Sequence, residues 1–181
     1  MAITINALDQ FIGQSDGLPS GSYKAVGAIF VADKTEYASN PLKMKRCLGS
    51  GFLVHGYDFH FLTANHVVAD PLQDNETHVL VLPNPTSVDN LISFPVSSVT
   101  SLENTDVAYG TLVEPDGNVT LYGFQLAQTV DGSKDYATYE HSGSSCKPDG
   151  TITFNVRLRK VYIVGQTKYE FAPITGEDIL E

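Results

Sequence analysis

Two short motifs carry side chains that could transfer protons. One is Thr-Ala-Asn-His-Val-Val, which contains His66, and the other is Thr-Asp-Val-Ala, which contains Asp106. An imidazole can take the proton of a hydroxyl group and return it to a leaving amine, and a carboxylate beside the ring fixes its tautomer and stabilises its charged form. Each residue also has an ordinary interpretation, His66 as a packed or surface histidine and Asp106 as a loop cap. Catalysis would require the fold to bring the two together.

The stretch Gly49–Val68 is predicted to be a β-hairpin that ends in the histidine motif. Two apolar segments, Gly51–Val54 and Phe59–Thr63, have strand character, and the polar segment His55–Asp58 between them fits a tight loop. The second strand delivers His66 to the edge of a sheet, where an imidazole can contact both core and solvent.

The rest of the first half is typical of short antiparallel strands. Strand-like segments precede and follow the hairpin, at Tyr23–Val31, Thr77–Leu82 and Leu91–Val99. Asp106 ends a polar loop and leads into an alternating strand that runs to Leu112, whereas Ala32–Pro41 is predicted to be a polar loop. Because nothing before Leu112 shows sustained 3.6-residue periodicity, the first half is predicted to form an antiparallel barrel.

The Gly-Ser-Gly-Phe segment, the hairpin and the Thr-x-x-His-Val motif resemble the histidine region of trypsin-like serine proteases, most closely the bacterial type. The resemblance implies that His66 is the general base and Asp106 the acid of a Ser-His-Asp triad that hydrolyses peptide bonds in a polypeptide substrate. It also implies an all-β, chymotrypsin-like fold of two antiparallel six-stranded β-barrels. The N-terminal barrel, with both residues, would occupy 1–115, and an incomplete second barrel would occupy 116–181.

The third member of such a triad is missing from the sequence. The family's nucleophile lies in Gly-x-Ser-Gly, a motif that occurs nowhere in these 181 residues. The nearest segment, Ser142-Gly-Ser-Ser-Cys146, lacks the glycine after the serine, and Ser144 follows Asp106 too closely for the family's spacing. We therefore expect His141–Gly150 to be a polar loop, and Cys146 has no histidine motif of its own that would make it a nucleophile.

The last residues resemble the segment that approaches the nucleophile loop in bacterial members. We therefore expect the chain to end just before the serine, so that Phe171–Glu181 leads up to it and the chain by itself is inactive. The resemblance would also place Asp178 near the base of the P1 pocket, with a preference for Lys or Arg. The alternative is a non-catalytic, protease-like binding or regulatory module. In either case a C-terminal segment or a partner strand could complete the open second barrel.

The composition limits which binding partners and which cellular location we expect. Eleven basic and twenty-one acidic side chains give a formal charge of −10, which repels phosphate backbones and anionic membrane surfaces. We therefore expect neither a nucleic-acid partner nor a membrane partner. No signal peptide or apolar run of membrane-spanning length is visible, so the sequence predicts a cytoplasmic protein.

Cysteine and histidine spacing gives no reason to expect a metal or another cofactor. Cys47 and Cys146 are the only cysteines and lie far apart in sequence, so they form neither a disulfide framework nor a four-ligand zinc site. The other four histidines are scattered without a carboxylate or thiolate spacing that would support a metal site; they are His55, His60, His78 and His141.

Overall fold

The computed structural model describes most of the chain. The described residues are 3–7, 22–56, 60–86, 90–126, 136–141, 143–163 and 169–180. Within these ranges no helix is both long enough and apolar enough to span a bilayer.

The described residues are mainly β-strands. The strands are β1 Ile3–Ala7, β2 Val26–Asp33, β3 Arg46–Leu53, β4 His60–Thr63, β5 Glu76–Pro83, β6 Leu91–Ser101, β7 Ala108–Leu112, β8 Val119–Gly123, β9 Tyr136–Glu140, β10 Ser145–Cys146, β11 Ile152–Thr153, β12 Val156–Ile163 and β13 Tyr169–Leu180. Two short α-helices are α1 Lys34–Ser39 and α2 Asn65–Val68, and a 3₁₀ turn spans Ser22–Ala25.

Six consecutive strands form a closed antiparallel barrel, as the sequence predicts for the first half. Their order around the barrel is β2-β3-β4-β7-β6-β5. The predicted hairpin is confirmed, because β3 pairs with β4 in a register that places Gly51 opposite Thr63. Residues 57–59, which include part of its predicted loop, lie outside the described residues.

Strand β5 is apolar on both faces because both faces are buried. Leu80 and Leu82 point into the barrel with Phe61, whereas Val79 and Val81 point outward into a second apolar cluster. This explains why the sequence of β5 is a nearly continuous apolar run instead of an alternating one.

The second apolar cluster joins the barrel to the second half of the chain. Phe154 and Val156 are buried against Phe30, Val79 and Val81 on the outer surface of the barrel. A further link is the parallel pair that β1 forms with β8, through which Ile3, Ile5 and Leu121 add to the barrel core. The two halves therefore share their apolar cores.

The second half contains two small sheets within the described ranges. β9, β12 and β13 form an antiparallel sheet in the order β13-β12-β9, and β10 pairs with β11 in a separate two-stranded ribbon. Closure of these strands into a second barrel is not seen in the described part of the chain, so an incomplete second barrel stays a prediction.

The predicted polar loop at residues 32–41 is wrong in part, because β2 continues to Asp33 and helix α1 follows. The carboxylate of Asp33 accepts hydrogen bonds from the backbone N–H groups of Thr35 and Glu36, which caps the helix N-terminus. A helix of six residues shows too little periodicity to stand out in a polar segment. The predicted loop at 141–150 likewise contains the two-residue strand β10.

Candidate active site

The barrel topology brings the two predicted site residues to the same end of adjacent strands. β4 pairs with β7 in a register that places Thr63, the last residue of β4, opposite Ala108, the first residue of β7. His66 follows Thr63 by three residues and Asp106 precedes Ala108 by two. Strand pairing therefore puts the two side chains within reach of each other, although forty residues separate them in sequence.

The carboxylate of Asp106 contacts His66 in two ways. Oδ2 lies 2.6 Å from the ring Nδ1, and Oδ1 accepts a 2.9 Å hydrogen bond from the backbone N–H of His66. An ionised carboxylate can only accept, so Nδ1 carries the proton in this contact. Nε2 is then the basic nitrogen of the neutral ring, and it has no hydrogen-bond partner among the described residues.

Hydrogen bonds from His66 also set the charge of the acid. They hold the pKa of Asp106 below its ordinary value, the backbone N–H contributing most and the ring N–H next. Asp106 is therefore ionised at neutral pH. The pair is open to solvent, since 74% of the His66 side chain and 59% of the Asp106 side chain are exposed. Water screens the attraction between the His66 ring and the Asp106 carboxylate at this exposure. A bound molecule that excluded this water would strengthen the attraction.

Two polar residues that sequence reasoning missed position the histidine turn. The hydroxyl of Ser101, at the end of β6, donates to the side-chain carbonyl of Asn65, and the backbone N–H of Asn65 donates to the carbonyl of Asp106 at 3.1 Å. These bonds tie α2 to the loop that carries the acid. The only signal in the sequence was a polar residue directly before His66.

The loop between β6 and β7, which carries Asp106, is stabilised by hydrogen bonds within the loop. Leu102 N–H donates to the carbonyl of Val107 at 2.9 Å, and the Thr105 hydroxyl donates to the carbonyl of Leu102 at 3.0 Å. Asn104 has a φ of 59°, a left-handed conformation that asparagine tolerates better than most residues. The carboxylate of Asp106 is therefore presented by an ordered turn.

Ser144 has a structural role in the described residues. It is buried, and its hydroxyl contacts Nδ1 of His141 at 3.0 Å, the carbonyl of Asn155 at 3.1 Å and the backbone N–H of Asn155 at 2.9 Å. A hydroxyl engaged in this way is not placed to attack a substrate at His66. Ser142 lies outside the described residues.

The remaining candidates do not form a metal site in the described residues. No group of three or more His, Cys, Asp and Glu side chains there could hold a metal ion. Nδ1 of His55 contacts the carbonyl of Ile5 at 3.0 Å, and Nε2 of buried His78 has no hydrogen-bond partner in the described part of the chain. Asp178 lies in β13 opposite Arg157, and its side chain lies outside what the structure describes.

Comparisons with known proteins give a weak structural likeness and no match in sequence. No family model matches the sequence, and no curated protein matches it significantly. Among solved structures, the MamO protease domain from Magnetospirillum magneticum (apo form) is similar with a TM-score of 0.45 and 15% sequence identity. The match covers 82% of this chain and 68% of that chain. We therefore infer function from the geometry of this chain alone.

Proposed function

We propose that this chain is part of a trypsin-like serine endopeptidase, in which His66 is the general base and Asp106 orients it. The observation that carries the proposal is the double contact of the Asp106 carboxylate with the ring and the backbone N–H of His66. This contact selects the tautomer with a basic Nε2 directed away from the acid. Such a nitrogen can accept the proton of an attacking hydroxyl, while Asp106 stabilises the imidazolium that forms.

Peptide-bond hydrolysis also needs a nucleophile beside Nε2 and donors for the oxyanion. The 181 residues contain no Gly-x-Ser-Gly motif, and Ser144 is engaged with His141 and Asn155. In this proposal the chain as given supplies the base and its acid, and a serine outside it would supply the attacking hydroxyl. The chain by itself is then inactive.

The second candidate is a non-catalytic, protease-like module that binds a polypeptide. Two observations favour it: the His66–Asp106 pair is largely exposed, and Ser144, which is buried beside His141, has a structural role. The order β13-β12-β9 leaves β9 and β13 as the outer strands of their sheet, and an outer strand can pair with a segment of a partner.

A fluorophosphonate probe, which reacts with activated serines, separates the two candidates. We expect no labelling of the 181-residue chain. For a longer product of the same gene that carries Gly-x-Ser-Gly, the enzyme proposal predicts labelling that His66→Ala abolishes. Asp106→Asn should lower peptide hydrolysis by about ten-thousand-fold, as it does in other Ser-His-Asp proteases. Labelling of the short chain, or a longer product that is not labelled, would refute the enzyme proposal as stated.

The orienting role of Asp106 is testable without activity. In the 181-residue chain, ¹⁵N NMR of the His66 ring should show the Nδ1–H tautomer, because the carboxylate accepts that proton. Asp106→Asn should yield a mixture of tautomers, since an amide can donate as well as accept. Glu103→Gln removes a nearby exposed carboxylate and is the matched control. Unchanged ring shifts in Asp106→Asn would contradict the assigned role.

A further inference from the structure

The two cysteines lie on segments that are held together at both ends. At one end the backbone N–H of His141 donates to the hydroxyl of Ser50 at 3.0 Å. At the other end the backbone N–H of Met44 donates to the carbonyl of Gly150 at 2.9 Å. His141 therefore lies beside Ser50 and Gly150 beside Met44, and in each segment the cysteine lies between the two anchored residues.

Cys47 lies in β3 and Cys146 lies in β10, and these two strands contact each other. Both thiols are half-buried against the apolar cluster that contains Phe30 and Phe154. The electrostatics agree with this placement: burial, and to a smaller extent the neighbouring Cys47, raise the pKa of Cys146 to about 11.

We propose that Cys47 and Cys146 form a reversible intramolecular disulfide that joins β3 of the barrel to β10 of the second half. The two residues are nearly a hundred positions apart in sequence, so only the folded chain brings them together. The bond would lock the second half onto the barrel near Ser50. This inference does not depend on the proposed function.

The oxidant is a small-molecule disulfide such as oxidised glutathione. One cysteine thiolate attacks a glutathione sulfur, breaks the S–S bond and expels a glutathione thiolate. The second cysteine thiolate then attacks the protein sulfur of this mixed disulfide and expels the second glutathione thiolate. Two protein thiols are thereby oxidised, one glutathione disulfide is reduced to two thiols, and the two cysteine protons pass to them.

The experiment treats the reduced, folded 181-residue chain with oxidised glutathione. We expect an intact mass lower by two hydrogens, and a linked pair of peptides that contain Cys47 and Cys146. Because burial raises the pKa of both thiols, the rate should rise about tenfold per pH unit as long as the pH stays below the pKa of the attacking thiol. Cys47→Ser and Cys146→Ser should each give a single glutathione adduct and no bridge. Glutathione adducts on both cysteines of the wild-type chain, without a bridge, would overturn the proposal.

A second measurement requires no oxidation of the protein. A short reagent with two thiol-reactive ends should bridge the cysteines in the folded chain and leave the chain unbridged in denaturant. Modification of the two cysteines by separate reagent molecules in the folded chain would show that they are not adjacent.

Discussion

At the scale of single residues, two histidines show how the environment decides what an imidazole does. The side chain of His66 is 74% exposed, and its ring contacts the carboxylate that orients it. The ring of His141 is buried against Phe154, with ring centroids 4.5 Å apart, and contacts Ser144. The exposed ring can exchange protons with a substrate, whereas the buried ring can only stabilise the fold in its neutral form.

Burial of His141 predicts a loss of stability in mild acid. Its pKa is lowered to about 4 from an ordinary 6.5, chiefly because burial disfavours the charged ring. Between these values the unfolded chain binds a proton that the folded chain does not. The free energy of unfolding should therefore fall by about 3 kcal/mol as the pH drops through this window, and this term should be constant above it.

Urea unfolding at several pH values, compared with the variant His141→Gln, measures this contribution. Burial lowers the pKa of His78 as well, so His78 adds to the wild-type slope and is unchanged in the variant. The difference between the two curves is then the contribution of His141 to the pH dependence of the free energy of unfolding. Parallel curves for the wild type and the variant would contradict the prediction.

At the scale of elements, the packing of one buried aromatic ring in the barrel core requires a glycine on the opposing strand. Phe61 of β4 is fully buried, and its register partner on β7 is Gly110. A Cβ built on Gly110 would lie 2.4 Å from the Phe61 ring, which cannot move away because the core surrounds it. The absence of a side chain at residue 110 is therefore a packing requirement.

Gly110→Ala should be strongly destabilising for this reason. We expect a loss of about 1–3 kcal/mol in the free energy of unfolding, the usual cost of overpacking a core. Gly117→Ala is the matched control, since a Cβ there meets nothing within 4 Å, and its effect should stay within about 0.5 kcal/mol. Chemical denaturation of the three proteins tests the prediction, which fails if the two substitutions cost the same.

At the scale of the whole molecule, the N-terminal strand connects the two halves. β1 pairs in parallel with β8, and its residues alternate between the barrel core and solvent: Ile3 and Ile5 are buried, and Thr4 is exposed. β1, from the start of the chain, therefore contributes to the barrel core while it is paired with β8, a strand of the second half. The barrel is therefore not independent of the residues that follow it.

Truncation of Ile5 should weaken the entire fold. Ile5→Ala is expected to cost about 2–5 kcal/mol because it opens a cavity in the shared core, whereas Thr4→Ala should be nearly neutral. Unfolding monitored by a probe in each half should show a single shifted transition. A near-neutral Ile5→Ala, or two separate transitions, would show that β1 is not part of a shared core.

The sequence alone was enough to predict a mainly β first half, the hairpin and the two residues that meet at the barrel end, but it gave no indication of helix α1. These features follow from local signals: alternation, breaker residues, and short motifs around His66 and Asp106. The contact itself depends on the β4–β7 register, and it was anticipated from the resemblance of the two motifs to those of trypsin-like serine proteases.

Only the tertiary structure decided how distant segments pair. It assigned Ser144 to a buried network with His141 and Asn155, joined β1 to β8, and brought Cys47 near Cys146. None of these has a periodic signature, because each depends on contacts between residues far apart in the chain. Local patterns specify the strands, whereas the shared packing of the two halves determines which strands and side chains meet.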